Sequence, residues 1–168
     1  MLVVGIVAVG VTAVAVLAGQ RESVVGVAPE AGIDHWHDAY AINRCGVDLP
    51  VSTDDGHGDG NHSHQDGLIH IHPSSPAGAG PNATFGNFVE AMGAELSDQA
   101  YVPGGGESPV VLSEDDGCNG EPAVLQLAYW EDAFGDGPPV VLTENLAELW
   151  LEHEPLGAIT LALLPEGA

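Results

Sequence analysis

The sequence predicts an α+β domain, a small mixed sheet with one main helix, carried behind an N-terminal transmembrane helix. Three observations point there. Short runs of alternating apolar and polar residues recur along the chain, the pattern of half-buried strands. Behind Thr84, the residues Phe85, Phe88, Val89, Met92 and Leu96 recur at helical spacing. Residues 2–19, LVVGIVAVGVTAVAVLAG, are uncharged and apolar apart from Thr12, and such a run can just span the hydrocarbon core of a bilayer.

Residues 1–19 therefore read as a transmembrane anchor or a signal sequence. Val16-Leu17-Ala18 offers small residues of the kind that precede signal cleavage. Gln20 stands where a lipidated cysteine would be required, which excludes a lipoprotein. Only Arg21 follows the run, opposed by Glu22, so charge does not orient the segment. Residues 20–33, with Pro29 and two glycines, read as a juxtamembrane linker. Residues 34–168 are enough for one domain with a core of its own, expected on the outer side of the cytoplasmic membrane.

Within that domain, residues 34–45 alternate, with Trp36, Tyr40 and Ile42 on one face and His35, His37, Ala39 and Ala41 on the other. This predicts a first strand, with Trp36 and Tyr40 as core anchors. Residues 46–67 read as loop, rich in Asp-Gly turn material. Leu68-Ile69-His70-Ile71-His72 is a compact strand stopped by Pro73. After a Pro/Ser/Gly/Ala connector comes the helix capped by Thr84, its apolar stripe facing the core. Residues 101–112 give a strand or two broken by glycines, 123–130 a longer strand and 139–142 a short one. Thr143 is expected to cap a stubby helix presenting Leu146, Leu149 and Trp150, and residues 158–164 close the domain as a buried strand. Strand, strand, long helix, strands, short helix, strand is the order of a β-grasp (ubiquitin-like) domain.

Composition narrows the partners. Two basic residues stand against 25 acidic ones, for a formal net charge of −23. Such a surface repels nucleic acid and anionic lipid and attracts cations; it also serves solubility in salt. Nothing in the sequence names a protein partner. Cys45 and Cys118 follow no Cys-x-x-Cys spacing. In an oxidising compartment they would close one long loop as a disulfide; the alternatives are two separate buried thiols, or a thiolate metal ligand.

The chemistry concentrates in residues 34–73, which hold seven of the eight histidines. Six form three His-x-His pairs: His35/His37, His62/His64 and His70/His72. Residues two apart on an extended strand share a face, so each pair can aim two imidazoles at one point. Neutral imidazole is a good ligand for zinc and copper, and these six are the candidate metal ligands, with His70 and His72 foremost. Asp34, Asp38 and Asp66 are candidate oxygen ligands or acceptors for the imidazoles. The alternatives are a polar sheet face hydrogen-bonded to aspartates, or a pH-sensing cluster. A calcium reading is weaker: Asp55-Gly56-His57-Gly58-Asp59-Gly60 through Asp66 follows the loop spacing in part, but His57 falls where a hard oxygen ligand belongs. His153, alone in Leu151-Glu152-His153-Glu154, reads as a surface residue.

No Gly-x-Ser-x-Gly, phosphate loop, dinucleotide fingerprint or His-Glu-x-x-His occurs, so no enzymatic class is indicated. A metal-free interaction module of the envelope is the alternative to a metal-binding domain.

The segments Asp34-His35-Trp36-His37-Asp38-Ala39-Tyr40, Cys45-Gly46, the run from His62 to Pro73, and Cys118-Asn119-Gly120-Glu121-Pro122 resemble a group of uncharacterised actinobacterial proteins. Members are single-pass, membrane-anchored extracytoplasmic domains with a His-Trp-His start and a His-x-His-Gly-Asp-Gly-x-Ile-His-Ile-His-Pro core. Gln65 here replaces the usual glycine. The resemblance implies anchoring and pairing of Cys45 with Cys118, and brings no activity with it.

Overall fold

The computed structural model describes residues 28–51, 61–104, 110–151 and 156–167. The apolar run at 1–19, most of the linker, His57 with residues 55–60 of the calcium-like loop, and His153 lie outside the described residues. Among the described residues no helix is long and apolar enough to cross a membrane.

Among the described residues, ten strands and one α-helix make a mixed α+β architecture. The strands are β1 (Trp36–Arg44), β2 (Val47–Leu49), β3 (Asn61–His62), β4 (Leu68–Ile71), β5 (Glu95–Leu96), β6 (Ala100–Val102), β7 (Leu112–Ser113), β8 (Ala123–Trp130), β9 (Val140–Leu142) and β10 (Ala158–Pro165); α1 (Phe85–Ala91) follows β4. The main sheet runs β3-β4-β1-β10-β8-β9, with β2 also on β1; β5, β6 and β7 form a separate small sheet. The first and last strands lie side by side and parallel at its centre, Tyr40 opposite Ile159 and Ile42 opposite Leu161. The other pairings in the main sheet are antiparallel. β4 takes the first half of one β1 edge, Trp36 to Ala39, and β2 takes the second, Ile42 to Arg44.

Alternation decides which face is covered. Ile69, Ile71, Leu125, Leu127, Ile159, Leu161 and Leu163 point to one side and are essentially inaccessible. There α1 lays down Phe85, Phe88 and Val89, the Phe88 ring meeting Tyr40 edge-on at 5.2 Å between centroids. Each such side chain contributes about 1.5–3 kcal/mol by leaving water. The opposite side of β1, β4 and β3 carries the histidines.

Several boundaries differ from the sequence expectation. Thr84 does cap α1, its hydroxyl accepting from the Asn87 amide at 3.2 Å. The helix nevertheless stops at Ala91 rather than running to Leu96, because Gly93 turns left-handed (φ +67°). Gly93 N–H then donates to Glu90 and Ala94 N–H to Val89, closing the last carbonyls, and Leu96 joins β5. Residues 46–67 are not all loop. Cys45 and Gly46 both adopt positive φ, 54° and 84°, making the tight hairpin turn that launches β2, and β3 adds an edge strand. Thr143 caps no helix: a single 3-10 turn, Leu146–Glu148, follows Asn145, and the Leu146 amide donates to the Asp98 carboxylate at 3.0 Å.

Cys45 and Cys118 are joined as a disulfide spanning 73 residues. It ties the β1–β2 turn to the loop entering β8, across the end of β10, where Cys45 N–H also donates to the Leu163 carbonyl. With both sulfurs so used, neither cysteine is a metal ligand.

Candidate metal centre

Register brings the histidines together. In the β1–β4 ladder His37 stands opposite His70, and in the β4–β3 ladder His70 stands opposite His62. One row therefore crosses three strands as His37, His70, His62. His35 and His72 continue β1 and β4 by two residues toward the same end, and His64 follows His62 by two, all keeping the face set by the period of two.

The six imidazoles form a closed circuit. Ring centroids are 4.9 Å apart for His35–His37, and 4.6 Å for His37–His70, His70–His64, His64–His62 and His62–His72; His72–His35, at 4.7 Å, completes it. His70 also approaches two further members, His62 at 5.6 Å and His35 at 6.3 Å. The strand pairing of β1 with β4 places His35/His37 beside His70/His72 as the sequence suggested. The His62/His64 pair arrives differently: not as a loop folded over the sheet, but with His62 on an edge strand inside it and His64 two residues beyond. Its polar Asn61-His62-Ser63-His64 run carries no apolar alternation by which to recognise a strand. Instead the inward positions are polar and buried, Asn61 donating to the Gly78 carbonyl at 3.0 Å and Ser63 accepting from the Tyr40 hydroxyl at 3.3 Å.

His35, His37 and His70 each offer a ring nitrogen within 4.8 Å of the others, a group that can hold a metal ion. His37 Nε2 and His70 Nδ1 are 3.0 Å apart. Two nitrogens bound tetrahedrally at 2.0–2.1 Å from one zinc are separated by roughly 3.3 Å, so this contact is close to a coordination edge. His62 Nε2 and His64 Nε2 make a second such contact at 3.1 Å.

Asp66 fixes the tautomer at the centre of the cluster. Its Oδ2 lies 2.9 Å from His70 Nε2, while its Oδ1 accepts from the Leu68 amide at 3.0 Å. The hydrogen bond from His70, first among the causes, holds the Asp66 carboxyl down at about 2. An ionised carboxylate only accepts, so His70 carries a proton on Nε2, and in the neutral ring Nδ1 turns a bare lone pair toward His37. This is the carboxylate–histidine arrangement that orients metal ligands.

Burial works against the protonated form at two of the rings. Burial, then the neighbouring charges of His70 and His35, pulls His37 below the usual histidine value. His72 is pulled down by burial and then by His35. Neutral imidazole is the form that coordinates.

Asp38 and Asp34 do not serve the site. Asp38 faces the core side of β1, 1% exposed, and its Oδ1 accepts from the Gly157 amide at 3.0 Å. Parity decides this: Asp38 shares its face with Trp36 and Tyr40, opposite His35 and His37. Asp34 closes the turn before β1, accepting from the Glu30 amide at 2.7 Å. Comparisons with protein-family models, curated proteins and solved structures returned no match.

Proposed function

We propose that this chain is a membrane-anchored extracytoplasmic domain that binds a transition metal, zinc or copper, through the histidine face of β1, β4 and β3. The observation that carries the reading is the convergence of His35, His37 and His70, with Asp66 holding His70 in the metal-binding tautomer. Three imidazole nitrogen donors suit zinc and copper(II) and do little for calcium or magnesium, which prefer oxygen. The net charge of −23 supports the same reading by drawing cations to the surface.

The sheet order supports the β-grasp expectation, with the first and last strands parallel at the centre, antiparallel partners on either side, and the helix between the two halves. The apolar run at 2–19 supports anchoring, the disulfide supports an oxidising compartment, and the resemblance to the actinobacterial group agrees with both. No protein partner is implied.

Elemental analysis of the full chain, purified in detergent without a histidine tag, tests the metal reading. Zinc or copper at near-stoichiometric level, lost in a His37→Ala/His70→Ala variant of unchanged circular dichroism, is the expected result. Failure of the wild-type chain to retain either ion after reconstitution would leave the histidines as a polar sheet face. A metal-free envelope interaction module would then be the better reading.

A further inference from the structure

The circuit of six imidazoles has more donors than one ion uses. Four-coordinate zinc takes four ligands, and a site open to solvent takes three. The order around the circuit, His35–His37–His70–His64–His62–His72, divides into two halves of three adjacent rings. Each half contains one nitrogen–nitrogen contact near a coordination edge: 3.0 Å for His37–His70 and 3.1 Å for His62–His64. We infer that the cluster is a two-ion centre, with a second zinc or copper(II) site made by His62 and His64 and completed by His72. This rests on the metal-binding reading above.

Three features carry the division. The two close contacts involve four different histidines, so neither competes with the other for a nitrogen. His72 is the one ring left over once the close pair His62/His64 and the group His35, His37 and His70 are assigned, and it lies where the halves join, 4.6 Å from His62 and 4.7 Å from His35 between centroids. His70 is committed to the first half, because Asp66 occupies its Nε2 and its remaining lone pair faces His37. Two adjacent dications repel each other, and the net charge of −23 offsets that repulsion.

The halves are not equally prepared. In the first, three ligand nitrogens already lie within 4.8 Å of one another; in the second, two nitrogens are close and the third ring must turn toward them. The first ion therefore binds more tightly, and the second fills the less preorganised site. Burial does not separate the halves, since each has one exposed ring, His35 in the first and His64 in the second, and two half-buried ones.

Titration of the metal-stripped full chain with zinc, in the presence of excess magnesium to occupy surface carboxylates, tests the assignment by counting equivalents. The expected result is two, in a tight step and a weaker one. A His62→Gln/His64→Gln variant should keep the tight step and lose the weak one. A His35→Gln/His37→Gln variant should lose the tight step. A single equivalent in the wild-type chain, with the His62→Gln/His64→Gln variant binding equally well, overturns the second site and leaves the metal-binding function standing. Loss of all binding in that variant, with circular dichroism unchanged, overturns the division by making the six histidines one site. No equivalents in any form overturns the metal reading itself.

Discussion

His37 and His70 face one another across neighbouring antiparallel strands, Nε2 to Nδ1 at 3.0 Å. With the His70 proton held on Nε2 by Asp66, the hydrogen between the two rings is donated by His37. An ion bound between them would take that hydrogen's place, with the His37 proton then carried on Nδ1. Removing either ring takes away a ligand from the half of the cluster best arranged for coordination. His37→Ala or His70→Ala should each weaken zinc binding by more than about 100-fold, since loss of a ligand exceeds the 10–100-fold typical of its supporting partner. The same changes should alter the stability of the metal-stripped chain by no more than about 1 kcal/mol, both rings lying outside the apolar core. Chelator competition and denaturant unfolding measure the two quantities separately.

Asp66 acts through His70. Asp66→Asn keeps an acceptor for the Leu68 amide, and so keeps the turn into β4, but replaces the charge that fixes the His70 tautomer. The expected cost is about 10–100-fold in zinc affinity with little change in the unfolding midpoint. Unchanged affinity would remove Asp66 from the account of the site.

The histidine pairs were legible because a strand's period of two makes His-x-His a same-face pair without further information. Ile69 and Ile71 fixed the face of β4, and Tyr40 and Ile42 that of β1, so the meeting of His37 with His70 needed only that the strands pair. β3 was not legible: Asn61 and Ser63 are buried through hydrogen bonds, not by hydrophobicity, and those partners, Gly78 and Tyr40, are distant in sequence. Asp38 misled for the same reason in reverse. Its nearness in sequence to His37 suggested a shared task, whereas a one-residue step reverses the face. The end of α1 at Ala91 depended on Gly93, which an unbroken apolar stripe through Met92 and Leu96 concealed.

Asp38 and Gly157 form a buried contact that joins β1 to the start of β10. A Cβ on Gly157 would lie 2.7 Å from Asp38 Oδ1 and 3.1 Å from the Tyr129 ring, neither of which yields easily in a packed core. Gly157→Ala should destabilise by about 1–3 kcal/mol through overpacking. Asp38→Ala leaves the Gly157 amide without this acceptor and should cost a comparable about 1–3 kcal/mol. The double variant should cost less than the sum, because both changes break one contact. Urea unfolding of the three variants gives the cycle directly.

The Cys45–Cys118 disulfide closes a loop of 73 residues. On the loop-entropy relation its removal costs about 4 kcal/mol. A Cys45→Ala/Cys118→Ala variant should accordingly melt ~10 °C or more below the parent. Cys45 also sits at φ 54° in the β1–β2 turn, so Cys45→Gly/Cys118→Ala should recover part of the loss by easing that backbone position. Thermal melts of the two variants, with and without reductant on the parent, separate the cross-link from the turn.

Stability of the metal-stripped chain should fall on acidification in two stages whose signs follow from the shifts. His37 and His72 are held below 6.5 in the fold by burial first and then by neighbouring imidazoles. A base with a lowered folded pKa binds fewer protons folded than unfolded, so stability rises with pH between the folded values and 6.5 and is lost as pH falls through that window. Asp66 is held at about 2 against an ordinary 3.8. Its contribution is complete above 3.8 and disappears as pH falls toward 2. Neutral substitutes at the two histidines, His37→Gln/His72→Gln, should flatten the first stage and leave the second. Saturating zinc should deepen the first stage, since protons and metal compete for the same nitrogens. Unfolding free energies measured from pH 7 down to about pH 2, with and without zinc, decide it. A first stage unchanged in the double variant would assign the acid sensitivity to other groups.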